Sequence, residues 1–382
     1  MNIAVDVRSI MYGNYTGVGE YTFHLLDHIF KTDKQNQYYL FCNSNKAVNL
    51  PDWDYPNVHK VIFRYPNKLL HGSMWLFKRP RFQKMIESEV GVKIDHVFLP
   101  NQNFFIPADD TPLTITVHDL SFVRFPHFFP KFHRFWHKAV NLRRLVNQAN
   151  QVIAISEHTA QDLQELWQLS TDKISVISPG IDPLFFKHRG HSEEKVKEKY
   201  LLPSNYLLYL GTLEPRKNIE IIIKGFEKAV EKHKNLHLVL AGGWGWETKR
   251  IKETLAQSKF ASKIKLLGYV DREDKPALYK MARIFLFPSF YEGYGLPPLE
   301  AMSQGCPVIT TNTSSLPEVV EDAGYLISPH DLGAFSEAID HLLSNPENLS
   351  NCLKKAKLIA EQADWNKTAE KVHRLLVSKK HE

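Results

Sequence analysis

Cysteine is scarce in this chain. The three present among 382 residues, Cys42, Cys306 and Cys352, are scattered without the pairing of a disulfide framework, a metal site or a redox motif. That excludes a disulfide-stapled secreted scaffold and leads us to expect a reduced, cytoplasmic protein. Long apolar runs are missing as well. None approaches the ~20 residues that span a bilayer, and Met-Asn-Ile-Ala-Val-Asp-Val at the start reads as a strand and not as a signal peptide. No His-x-x-x-His pair sits in a Glu-containing motif, so no metal ligand and no divalent cofactor are expected.

Acidic residues are absent from two long stretches. Between Asp54 and Glu87 the charges are Lys60, Arg64, Lys68, Lys78, Arg79, Arg81 and Lys84, with Trp75, Phe77 and Phe82 among them. Between Asp119 and Glu157 they are Arg124, Lys131, Arg134, Lys138, Arg143 and Arg144, with Phe128, Phe129, Phe132, Phe135 and Trp136. The overall charge of +6 is too mild to argue for nucleic acid. Basic and aromatic surface together suit peripheral contact with an anionic membrane. An equally available reading is a buried face, because Phe132, Phe135, Trp136, Ala139, Leu142 and Val146 follow helical spacing.

What is present is alternation. Apolar, β-branched runs predict strands at Ile3–Val7, Tyr38–Cys42, Val58–Arg64, His96–Leu99, Leu113–Val117, Val152–Ser156 and Ile174–Ser178. The pattern resumes at Tyr206–Leu210, Leu236–Ala241, Ile264–Leu267, Ile284–Phe287, Val308–Thr311 and Tyr325–Ser328. Helical patterns separate them at Glu20–Phe30, Phe132–Gln148, Ser156–Trp167, Ile219–Lys232 and Ala334–Leu343. This β-α order predicts α/β architecture with parallel sheets covered on both faces. The strands are too many for one compact sheet, so two doubly wound domains are expected. The boundary falls in the charged stretch 183–203, which includes His188-Arg189-Gly190-His191 and reads as a linker. The expected domains are thus 1–182 and 204–360, followed by an amphipathic helix within 361–382 that carries Trp365, Ala369, Val372 and Leu376 on one side, with Asp364 as its cap.

Polar chemistry gathers at predicted strand ends. After Ile284–Phe287 the chain reads Glu292-Gly-Tyr-Gly-Leu-Pro-Pro-Leu-Glu300 and enters a helix. Two carboxylates flanking a glycine turn can accept from sugar hydroxyls, while free amides near Gly295 and Leu296 face a phosphate. After Tyr206–Leu210 comes Gly211-Thr-Leu-Glu-Pro-Arg216-Lys217-Asn218. Arg216 offers a planar fork and Lys217 a mobile point charge for a diphosphate; the alternative is a solvated helix start. Thr16-Gly17-Val18-Gly19 follows the first strand, and Gly17 and Gly19 let backbone approach a ligand. Thr22 stands where a dinucleotide fingerprint needs its third glycine, which disfavours a nicotinamide dehydrogenase. His118, just past Leu113–Val117, is placed to hydrogen-bond a sugar hydroxyl or to sit as a satisfied loop histidine. Sugar hydroxyls plus a diphosphate describe a nucleotide sugar, which is a substrate and not a cofactor.

Taken together these segments resemble glycosyltransferase family 4, over nearly the whole chain. Pro-Ser-Phe-Tyr-Glu-Gly-Tyr-Gly-Leu-Pro-Pro-Leu-Glu-Ala-Met matches that family's Glu-x7-Glu motif, and Gly211–Asn218 matches its phosphate-contacting loop. Thr16–Gly19, Val117-His118-Asp119 and Ser178-Pro-Gly-Ile-Asp182 are similar to its glycine loop, its sugar-contacting histidine segment and its linker entry. The resemblance implies the GT-B fold, two Rossmann-like domains facing across a cleft with the last helix returning to the N-terminal domain. It implies a metal-independent, retaining transfer of a hexose from a nucleoside-diphosphate sugar to a saccharide or lipid-linked acceptor. By the same implication Arg216, Lys217, Gly295 and Leu296 hold the diphosphate, Glu292 the donor sugar, Glu300 the ribose, and backbone near Val270 the base. His118, Glu292, Arg216 and Lys217 become the catalytic candidates. One position departs: relatives carry Arg directly after the loop glycine, and this chain has Thr212. The loop wording is similar to bacterial mannosyltransferases of surface polysaccharide assembly, implying GDP-mannose and work at the inner face of the cytoplasmic membrane. UDP-sugar transfer, a same-fold epimerase or phosphorylase, and a non-catalytic nucleotide-sugar-binding module are the other readings.

Overall fold

The computed structural model describes residues 1–13, 15, 17–108, 110–186, 190–345 and 349–378. Thr16 of the glycine loop and His188 and Arg189 of the expected linker lie outside the described residues. The chain forms two compact units.

The first unit comprises Met1–Leu120, Lys131–Gly180 and the segment from Asp364 onward. Its sheet contains β1 (Asn2–Asp6), β2 (Gln37–Asn43), β3 (Val58–Phe63), β4 (His96–Leu99), β5 (Leu113–Val117), β6 (Gln151–Ala154) and β7 (Ile174–Val176), in the order β3-β2-β1-β4-β5-β6-β7. All pairings are parallel. Every residue of β4 and β5 is buried, the polar His96, Thr114 and Thr116 included, as a strand covered on both faces requires. The helix Trp365–Val377 docks against the helix Gly17–Thr32: Trp365 stacks on His24 at 5.4 Å and meets Tyr21 edge-on at 5.6 Å. Asp364 caps it by accepting from the Asn366 amide at 2.8 Å. Gly180 makes the docking feasible, because a Cβ there would overlap the Trp365 backbone nitrogen.

The second unit comprises Ser121–Pro130 and Ile181–Ala363. Its parallel sheet contains β8 (Tyr206–Leu210), β9 (His237–Ala241), β10 (Ile264–Gly268), β11 (Ile284–Phe287), β12 (Val308–Thr311) and β13 (Tyr325–Ile327), in the order β10-β9-β8-β11-β12-β13. The helix Ile219–Lys232 buries Ile219, Ile222, Ile223, Phe226, Ala229 and Val230, a three-to-four spacing that puts one apolar stripe on the sheet. Between β8 and β11 the strand order reverses, and the chain leaves those two strands towards opposite sides. That opens a crevice at their carboxyl ends.

Three expectations need correction. The predicted helix Phe132–Gln148 is two helices, Lys131–Val140 and Leu142–Gln148, because Asn141 takes a left-handed conformation (φ 51°) and caps the second by accepting from the Arg144 amide. The break resets the helical phase, so Leu142 and Val146 are buried while Phe132 and Phe135 are exposed; the buried-face reading fails for those two rings. The stretch 183–203 is not a bare linker. Ser192 caps the helix Glu193–Tyr200, whose Val196 lies in the core of the second unit. Finally, Ser121–Pro130 falls inside the expected domain 1–182 but clusters with the second unit, where Phe128 stacks on Phe290 at 5.4 Å and Trp246 Nε1 donates to the Phe128 carbonyl at 2.6 Å.

Candidate active site

In the second unit both sequence motifs fall at the carboxyl ends of β8 and β11, the strands that flank the reversal. After β8, Gly211 to Glu214 is zipped to the loop after β9: the Leu213 amide donates to the Gly243 carbonyl and the Gly245 amide to the Leu213 carbonyl, both at 2.9 Å. Gly242 is indispensable there, since a Cβ on it would overlap the Gly211 carbonyl and its φ is +134°. Sequence reading passed over this Gly242-Gly243 pair, although two glycines at a strand end were a visible sign of close backbone approach.

The loop then delivers Arg216 and Lys217 onto Glu292. Lys217 Nζ lies 2.5 Å from Glu292 Oε1, and Arg216 Nη1 lies 3.0 Å from Glu292 Oε2. The same Arg216 Nη1 donates to the Tyr291 carbonyl at 2.7 Å, and Arg216 Nη2 donates to Glu214 Oε1 at 2.8 Å. The Phe290 amide donates to the Arg216 carbonyl at 2.9 Å, so backbone and side chains bind the two loops together. Ser314 Oγ accepts from the Glu292 amide, and Ser315 Oγ donates to the Glu292 and Tyr294 carbonyls, which fixes the turn from behind. Glu214, Glu292 and Lys217 are all largely buried. The cluster holds two cations and two carboxylates, so its charges balance.

Burial opposes charge on Glu292, but the Arg216 and Lys217 cations overcome it and hold the carboxyl down to about 2. Lys217 is pushed below the usual lysine range, first by burial and then by the neighbouring Arg216 guanidinium. Phe287 lies under the Lys217 ammonium at 5.0 Å from its ring centre.

Glu300 is engaged elsewhere. It sits in the helix Leu296–Ser303 and accepts from the Tyr279 hydroxyl at 2.9 Å. The fully buried Tyr279 was not singled out from sequence, since nothing local marks a partner 21 residues away. Gly295 occupies the N-cap with φ +116°, where a Cβ would press on Leu316. Pro297 and Pro298 carry no N–H, so the donors this helix start can offer come from Gly295, Leu296 and Leu299. Val270 lies beyond β10 with its side chain in the core.

In the first unit, Val18, between Gly17 and Gly19, and His118 line one cavity of about 340 Å³ with Asn101, Gln102, Asn103, Asp119 and Trp136. Gly19 packs tightly, its Cβ position lying 3.3 Å from the Ser9 carbonyl, whereas Gly17 faces open space. His118 Nε2 lies 2.9 Å from the Pro100 carbonyl. A carbonyl only accepts, so Nε2 carries the proton. Burial lowers the His118 pKa below the usual imidazole value, and the neutral ring therefore keeps Nδ1 as an acceptor. Two features of this unit escaped sequence reading. One is the buried Asp6–Arg8 pair at the end of β1, with Arg8 also donating to the Phe104 carbonyl at 2.8 Å. The other is an Asp-x-Asp string, Asp52-Trp53-Asp54, whose Trp53 is buried against Phe23 and Phe30. Among the described residues no group of three or more His, Cys, Asp or Glu side chains is arranged to hold a metal ion.

Both halves of the chain match known protein families. Residues 15–184 match the family described as Glycosyltransferase Family 4, and residues 192–380 match Glycosyl transferases group 1. The O-antigen chain mannosyltransferase B of Escherichia coli is 29% identical over 365 residues, 92% of this chain and 93% of that protein. The serotype-specific mannosyltransferase WbdA of Escherichia coli is 32% identical over 276 residues, 69% of this chain but 33% of the longer WbdA. Among solved structures, WaaG, a glycosyltransferase involved in lipopolysaccharide biosynthesis, superposes with a TM-score of 0.74 at 16% identity, covering 98% of this chain and 100% of WaaG, which bears on the fold alone. With both sheets doubly wound, both halves matched and the acid–cation cluster at the strand reversal, the chain belongs to the glycosyltransferases of family 4 and group 1, with the GT-B fold, and is similar to the mannosyltransferases of bacterial O-antigen assembly.

Proposed function

We propose that this glycosyltransferase moves mannose from GDP-mannose to a hydroxyl of a lipid-linked saccharide, with retention of anomeric configuration and without a divalent ion, at the cytoplasmic face of the membrane. The observation that carries the donor half is the Arg216–Lys217–Glu292 cluster at the reversal between β8 and β11. A buried cation pair beside a helix start suits a diphosphate. The same two cations offset the charge that builds on the departing diphosphate, the role a metal ion fills in other transferases. Because both are engaged by carboxylates, an arriving diphosphate exchanges with Glu292 as their partner. That exchange frees the Glu292 oxygens to accept from donor-sugar hydroxyls. The bare Nδ1 of His118 is suited to accept from a sugar hydroxyl in the cavity of the first unit. Mannose is favoured by the relative named a mannosyltransferase, which matches along nearly its whole length.

The test is a panel of ligands read by thermal unfolding, by product stereochemistry and by tolerance of a chelator. GDP and GDP-mannose are expected to raise the transition temperature, since a ligand that binds only the folded state stabilises it, and UDP-sugars are not. Transfer is expected to continue in excess chelator and to give the α-linked product from the α-linked donor. Stabilisation by UDP-sugars alone would move the donor assignment to a uridine nucleotide. Inversion, or loss of turnover in chelator, would overturn the corresponding part of the mechanism.

A further inference from the structure

The acid–cation cluster is built by loops of the second unit that follow β8, β9 and β11. The loops after β8 and β9 are zipped by backbone, and the bridge between Leu213 and Trp244 continues that pairing. The loops after β8 and β11 meet where the Phe290 amide donates to the Arg216 carbonyl and Arg216 Nη1 donates to the Tyr291 carbonyl. A further segment, Ser121–Pro130, spans the loops after β9 and β11. Trp246 Nε1 donates to the Phe128 carbonyl at 2.6 Å, and the Trp246 ring stacks on Phe129 at 5.7 Å. Phe128 stacks on Phe290 at 5.4 Å, and Phe125 packs on Tyr291 at 5.7 Å. Phe290 and Tyr291 directly precede Glu292, and theirs is the backbone that holds Arg216.

The sheet of the second unit is complete without this segment, since all six of its strands come from Ile181–Ala363. The segment itself forms one short helical turn, Ser121–Arg124, and one 3-10 turn, Pro126–Phe128. Its Phe125, Phe128 and Phe129 are only partly buried, unlike the core rings Tyr209, Phe285 and Phe287. Pro126 and Pro130 restrict its backbone, which lowers the entropy lost when so short a segment is ordered. A stiff segment that grips two site loops without adding to the sheet is placed to support the site. A planar guanidinium acts on a diphosphate only at the right angle, so its neighbours must fix it.

We propose that Ser121–Pro130 is a strap that positions Arg216 for the donor diphosphate, with Phe125, Phe128 and Trp246 as positioning residues. Phe125 and Phe128 press on Phe290 and Tyr291, and those two hold the Arg216 backbone and side chain. Trp246 ties the strap to the loop that is zipped to Leu213, three residues before Arg216. That Arg216 meets a diphosphate rests on the proposed function; the strap's hold on the loops does not.

The experiment compares the affinity of the full chain for GDP with that for GMP, and for UDP with that for UMP, by titration calorimetry. The ratio for the base that the wild type binds isolates the second phosphate. Phe128→Leu stays apolar but loses the stacked ring, Trp246→Phe keeps a ring but loses the N–H, and Phe128→Tyr keeps the stack. The diphosphate-to-monophosphate ratio is expected to fall about fivefold in Phe128→Leu and in Trp246→Phe, the scale of one lost aromatic pair or hydrogen bond. In Phe128→Tyr it is expected to stay within about twofold of the wild type. Without ligand, amide hydrogen exchange in Phe128→Leu is expected to quicken across residues 211–218 and 289–293 and to stay slow in β8 and β11. An unchanged ratio in both Phe128→Leu and Trp246→Phe would overturn the proposal. So would an equal loss in Phe128→Tyr, faster exchange confined to 121–130, or faster exchange throughout β8 and β11, which would make the strap a part of the fold. A wild type that binds none of the nucleotides, with the exchange pattern present, would instead strike the proposed function and leave the strap's hold on Arg216 standing.

Discussion

Glu292 is the residue on which the site's electrostatics turn. A largely buried carboxylate is unfavourable alone, yet Arg216 and Lys217 hold its pKa down from 4.5 to about 2. The sign of the resulting pH dependence follows from linkage. A carboxyl whose folded pKa is depressed contributes stability that is fully present above its unfolded pKa and is lost as pH falls through the folded one. For Glu292 the window runs from about 4.5 down to about 2, and the contribution is about 3 kcal/mol. Urea unfolding of the wild type and of Glu292→Gln is thus expected to show a stability difference that narrows by about this amount as pH is lowered through the window. Parallel curves would show that the cations do not stabilise this carboxylate in the folded protein.

Between strands and helices, what decides function is where loops leave the sheet. The reversal between β8 and β11 brings together two loops 75 residues apart in sequence, as the Lys217–Glu292 pair shows. Much of this was legible in the sequence. The runs at His96–Leu99, Leu113–Val117, Tyr206–Leu210, Ile284–Phe287 and Val308–Thr311 coincide with strands end for end, because strands buried on both faces are rich in apolar and β-branched residues. Arg216, Lys217 and Glu292 stood out because charge at a strand end is conspicuous. The helix Asn67–Phe77 was not legible, since only Leu70 and Met74 face inward while Leu69, Trp75, Leu76 and Phe77 are exposed, which blurs any amphipathic period. Nor was the break at Asn141, where a capping side chain overrides a continuous helical pattern. The Tyr279–Glu300 bond and the Asp6–Arg8 pair depend on tertiary placement that no local spacing encodes. Gly180 was legible as a motif residue but not for its cause, which is the Trp365 backbone lying against it. Gly180→Ala is therefore expected to lower stability by about 2–3 kcal/mol in denaturant unfolding, since backbone cannot yield as a side-chain tip can. A change within about 0.5 kcal/mol would show that the closing helix is not fixed by that contact.

For the whole molecule, the chain is a glycosyltransferase in which each unit carries its own polar site beyond a parallel sheet. The second unit holds the acid–cation cluster, and the first holds the His118 cavity. No helix of the described residues is long and apolar enough to cross a membrane. The central claim is that a nucleoside diphosphate is bound by the Arg216–Lys217 pair. Titration calorimetry of GDP into the wild type and into R216Q/K217Q measures this most directly. One binding event per chain is expected in the wild type and at least about 100-fold weaker binding in the variant, as loss of two charge-assisted contacts requires. Equal affinity in the two proteins would contradict it.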